Sequence, residues 1–177
     1  GIYLENSANG VNLGTISNYK YGIYTTSAAI AENKGDIAVT SYGMYAEDSS
    51  VIINEESGYI RAGDMYSMYV TENSSGYNYG EIKSESNTAV AIGEGATFIN
   101  EESGIISAWE SNGIYASRGG YARNNGRIEG ADTAVFVTMG GTFIKEETGV
   151  ISNSGNYGID ASKSNIEIKG IIENGGS

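Results

Sequence analysis

The chain has 177 residues and a formal charge of -12, with 10 Lys plus Arg against 22 Asp plus Glu, so it lacks the basic clusters that nucleic acid or an anionic membrane surface would require. With no Cys, no His and no Pro, but 26 Gly and 14 Tyr, it is poor in catalytic and metal-ligating side chains and rich in strand and turn formers. No stretch approaches the roughly 20 apolar residues of a membrane helix, and the opening GIYLENSANG has no leader-like charged and apolar regions. No membrane insertion by this segment is expected, and a signal peptide would lie outside it.

In chain order, a triplet of small, aliphatic and aromatic residues returns: Gly1-Ile2-Tyr3, Gly22-Ile23-Tyr24, Gly43-Met44-Tyr45, Ser67-Met68-Tyr69, Ala89-Val90-Ala91, Gly113-Ile114-Tyr115, Ala134-Val135-Phe136 and Gly158-Ile159-Asp160. After each comes a Gly-x-Ile unit, with Ile16, Ile37, Ile60, Ile82, Ile106, Ile128, Ile151 and Ile172 in one column. Strand side chains alternate between faces, so Ile23 inward places Tyr24 outward and Thr25 inward, with the same parity in every coil. The inward column Leu4, Thr25, Ala46, Val70, Ile92, Ala116, Val137, Ala161 is small or apolar. The outward one, Glu5, Thr26, Glu47, Thr71, Gly93, Ser117, Thr138, Ser162, is polar apart from one glycine.

Between the columns lies a second, more variable strand, seen as Val51-Ile52-Ile53, Thr97-Phe98-Ile99, Thr142-Phe143-Ile144 and Asn165-Ile166-Glu167-Ile168. The repeated glycine marks a corner needing positive φ or close backbone approach, and the asparagines before it (Asn33, Asn54, Asn78, Asn100, Asn125) tolerate left-handed turn geometry. Coils three, five and seven expand this turn to Asn54-Glu55-Glu56-Ser57-Gly58, Asn100-Glu101-Glu102-Ser103-Gly104 and Lys145-Glu146-Glu147-Thr148-Gly149. Skipping a coil holds the carboxylate pairs about 9.6 Å apart, near a Debye length at physiological salt.

One unit of about 22 residues with one residue per column per turn describes stacking in parallel, which hairpin architectures do not produce. The fold class is therefore all-β, a parallel β-solenoid of eight coils of about 21 to 24 residues, each of three short strands and three turns. The coils are longer than those of left-handed hexapeptide solenoids, so a right-handed β-helix is expected. Residues 1–177 read as a single segment, uncapped at both ends and continuing into flanking coils of the same parent chain.

The phrases NLGTIS, YGIYTTSAA, YGMYAEDS, NNGRIEG and TGVISNSGNYGIDAS resemble the repeats of autotransporter passenger domains, particularly the very large adhesins of fusobacterial outer membranes. The resemblance covers essentially the whole chain and is specific to a repeat style. It implies a right-handed β-helical stalk, secreted through an outer-membrane β-barrel outside this segment and displayed on the cell surface for attachment to a host-cell or bacterial surface protein or glycan.

The sharpest surface feature is the outward aromatic column Tyr3, Tyr24, Tyr45, Tyr69, Tyr115 and Phe136, interrupted at Ala91. Repetition alone would make it a ladder that stiffens the solenoid; its functional reading is a flat binding face. A second set, Tyr21, Tyr42, Tyr66 and Tyr157, is expected at or just before a corner and carries no assigned function, and Trp109 is placed outward or in a turn. Paired carboxylates raise the alternative of a carbohydrate-processing β-helix, such as a tailspike or lyase fragment. Against it, Asp36, Asp48, Asp64, Asp132 and Asp160 share no column, and coil lengths vary too little to build groove walls. No catalytic residue, metal ligand or cofactor is therefore assigned, and the acidic turns, which match no calcium-loop pattern, read as solvated.

Overall fold

The computed structural model describes residues 1–174, which form three eight-stranded parallel sheets. The tail Gly175-Gly176-Ser177 lies outside the described residues. The first coil supplies Ile2–Leu4, Asn9–Asn12 and Thr15–Ser17, one strand to each sheet, and every later coil repeats the order. Pairing is in register, running Ile16 to Ile37 to Ile60 to Ile82 to Ile106 to Ile128 to Ile151. Ile172 stands just before the last short strand, Glu173–Asn174, whose partners are Ser152 and Asn153.

Parity decides what is buried. In the first sheet Ile23, Met44, Met68, Val90, Ile114 and Val135 point into the core, while the residue after each, aromatic in every one of these coils but the fifth with its buried Ala91, takes the opposite face. The second sheet alternates bulk along the stack: Gly76 and Ala122 flank the fully buried Phe98. A Cβ on Gly76 would stand 3.1 Å from the Phe98 ring, so the large side chain occupies space its neighbours vacate. Burying such a side chain contributes about 1.5–3 kcal/mol.

The three corners work differently. The first holds two consecutive left-handed residues in most coils, for example Asn6 and Ser7, Ser27 and Ala28, Asp48 and Ser49, and Glu94 and Gly95. Stacked corners are joined by amides such as Ser49 N–H to Glu72 O at 3.0 Å. Of the two reasons open for the repeated Gly-x-Ile glycine, positive φ gathers instead at this first corner, and among the repeated glycines only Gly170 has it. What excludes a side chain at Gly35, Gly58, Gly80, Gly104 and Gly126 is close approach, since a Cβ would strike backbone carbonyls of the coil before. Thr71 and Ser117, expected to face outward, are buried because they open the first corner, whose left-handed residues fold the chain back over them.

At the second corner the asparagines end strands and point inward. Asn12, Asn33, Asn54, Asn78, Asn100 and Asn124 form one buried column, so Asn12 joins the expected set and Asn124 takes the place given to Asn125. Each of the first five donates its side-chain amide to the carbonyl oxygen of the next asparagine at 2.8–2.9 Å. Lys145, expected within an acidic turn, follows Asn124 in this column and is fully buried, its Nζ donating to Lys169 O at 2.8 Å and Glu146 O at 3.2 Å.

Candidate binding face

The aromatic column lies where the alternation places it, outward on the first sheet, with Tyr3 over Tyr24, Tyr45 and Tyr69 in successive coils. Tyr3 and Tyr24 stack with ring centroids 5.4 Å apart, as do Tyr45 and Tyr69 at 5.0 Å, but Tyr24 meets Tyr45 edge-on at 84°. The reason for the rotated pair is a shared acceptor: Glu47 receives the Tyr24 hydroxyl on one carboxylate oxygen and the Tyr45 hydroxyl, at 2.8 Å, on the other. Burial, followed by this hydrogen bond and the charge of Glu47, pushes both phenols well above the ordinary tyrosine range. Burial first, and then the carboxylate that fixes the ring orientations, thus both favour the neutral phenols.

The second tyrosine set adds to this face. Strict alternation from Tyr24 would put Tyr21 on the opposite side, but Gly22 and Ile23 are buried in succession and the parity breaks there. Tyr21 consequently turns outward, meeting Tyr24 edge-on at 5.9 Å and stacking on Tyr42 at 5.3 Å. Tyr42 stacks in turn on Tyr45 and Tyr69, and Tyr66 lies against Tyr42 and Tyr69. The result is a continuous surface of seven rings, Tyr3, Tyr21, Tyr24, Tyr42, Tyr45, Tyr66 and Tyr69. The signal in the sequence was a tyrosine followed by a small residue, Tyr21-Gly22, Tyr42-Gly43 and Tyr66-Ser67, with that small residue and the next both buried.

Tyr115 and Phe136 form a separate stacked pair at 5.6 Å, and Asp160 follows Phe136 in register. Between Tyr69 and Tyr115 the missing ring at Ala91, with Gly93 beside it, leaves a hollow of about 210 Å³. Its rim carries Tyr66, the Arg118–Glu94 ion pair at 3.1 Å and the exposed Met139. The structure thus brings four of the six expected aromatic residues into one patch and sets the other two across a notch.

Trp109 follows the strand Ile105–Ala108 at the third corner and is 60% exposed. In the expanded turns, Ser57 Oγ donates to Lys34 O and Ser103 Oγ to Tyr79 O, tying each long turn to the coil before it, while Glu56 and Glu102 remain exposed. Rings held rigid by stacking and by shared carboxylates suit contact with a planar or apolar partner surface. No family model, no curated protein and no solved structure matches this chain.

Proposed function

We propose that this chain is a rigid, non-catalytic length of a surface-displayed rod, a stalk or adhesive segment of an autotransporter-like passenger, whose tyrosine face contacts a host-cell or bacterial protein or glycan. The observation that carries the reading is the merging of two tyrosine columns into one seven-ring surface. A ladder that only stiffened the stack would need a single column, whereas Tyr21, Tyr42 and Tyr66 extend the aromatic area sideways. Tyr offers large contact area at low entropic cost, which suits an interface. The resemblance of the repeats to passenger domains supplies the setting, with anchorage by a translocator barrel elsewhere in the parent chain.

The test is display of residues 1–177 from a heterologous outer-membrane anchor, with adhesion to epithelial and bacterial cells measured against an unrelated β-solenoid of equal length. Adhesion above that control, lost in a Tyr45→Ser/Tyr69→Ser variant that still folds, is the expected result. Adhesion no greater than the control would overturn the adhesive role.

A further inference from the structure

The third corner is built in two lengths. From the inward aliphatic residue of the third sheet to that of the next coil's first strand, coil five takes eight steps (Ile106 to Ile114), coil six seven (Ile128 to Val135) and coil seven eight again (Ile151 to Ile159). A short corner between two longer ones leaves a recess, and a groove of about 510 Å³ lies there. Its volume falls within the range of about 300–1,000 Å³ usual for small-molecule sites. Small variation in coil length, which the sequence suggested would leave no room for walls, is thus enough to make one when the short corner is flanked on both sides.

The lining departs from the rest of the rod. Trp109, the chain's single tryptophan, forms an apolar wall, and the corresponding corner positions of the next two coils, Ala131 and Ser154, are small. Along the groove runs the outward column Ser107, Glu129, Ser152, Glu173, one residue per coil. It spans about 14 Å from three strand spacings of about 4.8 Å. Hydroxyls and carboxylates alternate in it. Glu129 is held from both sides, by Arg127 Nε at 2.5 Å and by Ser107 Oγ at 3.4 Å, so its orientation is set before any ligand arrives.

We propose that this groove binds a neutral hexopyranose unit of a glycan, with the Trp109 indole against the sugar's C–H face and Glu129 accepting hydrogen bonds from its hydroxyls. A sugar ring pairs an apolar face with a rim of hydroxyls that both donate and accept, which matches one indole wall facing a row of Ser and Glu. Charge decides between sugar classes. Arg127 is already paired with Glu129, and Glu173 leaves the groove with a net negative charge, so uronic and sialic acids are disfavoured. A wholly apolar ligand would strip water from the carboxylates without replacing it. The site stands independently of the surface-display reading.

Because Trp109 is the only tryptophan, its fluorescence reports this groove alone. Titration of the whole chain with methyl glucoside, galactoside and mannoside is expected to give a saturable change with at least one of them, at a Kd on the order of 1 mM. Glu129→Gln should weaken it about tenfold, and Trp109→Ala should abolish binding by calorimetry. Both positions are solvent-accessible, and circular dichroism of each variant checks that the fold persists. Tyr45→Ser/Tyr69→Ser should leave the titration unchanged, separating this site from the tyrosine face. No saturable change with any of the three glycosides, an equal response to glucuronate, or a response to choline in place of the sugars would each overturn the assignment.

Discussion

Two columns of near-identical side chains run along this rod, asparagines inside the second corner and tyrosines outside the first sheet. They look equivalent in the sequence, since each places one polar or aromatic residue per coil. The structure separates them. Every asparagine of the inner column, Asn12, Asn33, Asn54, Asn78, Asn100 and Asn124, is buried, and the amides are linked in a one-directional chain, whereas the tyrosines are partly solvated and vary between stacked and edge-on contacts. A buried amide without a partner is costly, so the asparagine column tolerates no gap among its members. The tyrosine column tolerates Ala91 and leaves only a notch. Burial turns repetition into constraint, and exposure leaves repetition free to be used.

The comparison breaks most severely at the middle of the inner column. Asn78→Leu would orphan the fully buried side-chain oxygen of Asn100 and leave the Asn54 amide with only its bonds to Gly58 O and Glu81 O, so it should destabilise the chain by about 2 kcal/mol, within the range of about 1–3 kcal/mol for one unsatisfied buried group. Chemical denaturation reads this directly, and a loss under about 1 kcal/mol would show that the ladder adds little beyond filling space. The end of the column makes the opposite prediction. Lys145→Asn removes an ammonium whose hydrogen bonds go to carbonyls and gives the Asn124 amide a further partner, so stability should rise by about 1 kcal/mol. A fall would mean that the lysine is the better terminus.

The outer column responds to pH instead. Tyr24 and Tyr45 have folded pKa values raised above the unfolded value of about 10, so their contribution is fully present below that pH and is lost as pH climbs from there through the raised values. The melting temperature should therefore be flat up to about pH 9 and fall beyond pH 10. Tyr45→Phe, which removes one of the two groups, should make that fall shallower. An unchanged slope would show that the Glu47-centred contacts do not couple to folding.

Much of this was legible in the sequence because the repeat fixes registers that physics then enforces. Ile82 inward and Tyr69 outward follow from parity, and the pairing of isoleucines follows from the Gly-x-Ile column. What sequence reading missed lies where parity or spacing changes by one. Tyr21 joins the face because the alternation breaks at Gly22, and the asparagines, read as turn residues that tolerate left-handed geometry, instead end strands and build a buried ladder in which Asn124 and not Asn125 takes part. The glycines were placed correctly with two reasons left open, positive φ or close backbone approach, and stacking of the coils selects the second. The groove beside Trp109 comes from a one-residue difference between corners, which becomes a shape only when three coils lie side by side.

The smallest expected effect lies just outside the inner column, in the acidic turn that leaves it. Asn100 is fixed inside, and the same turn is tied outside by Ser103 Oγ to Tyr79 O at 2.8 Å, so neither anchor uses the Glu102 carboxylate. Coils four and six carry the shorter turn, which keeps the next acidic pairs about two strand spacings away, roughly 9.6 Å, where physiological salt screens them. Glu102→Gln should therefore change stability by less than about 0.5 kcal/mol, in either direction, with a slight gain favoured at low ionic strength because one like charge is removed. Parallel denaturation curves of the two proteins at low and physiological salt check this. A loss above about 1 kcal/mol, or one appearing only when calcium is present, would show that the acidic turn is a bound-ion or structural element and not a solvated loop.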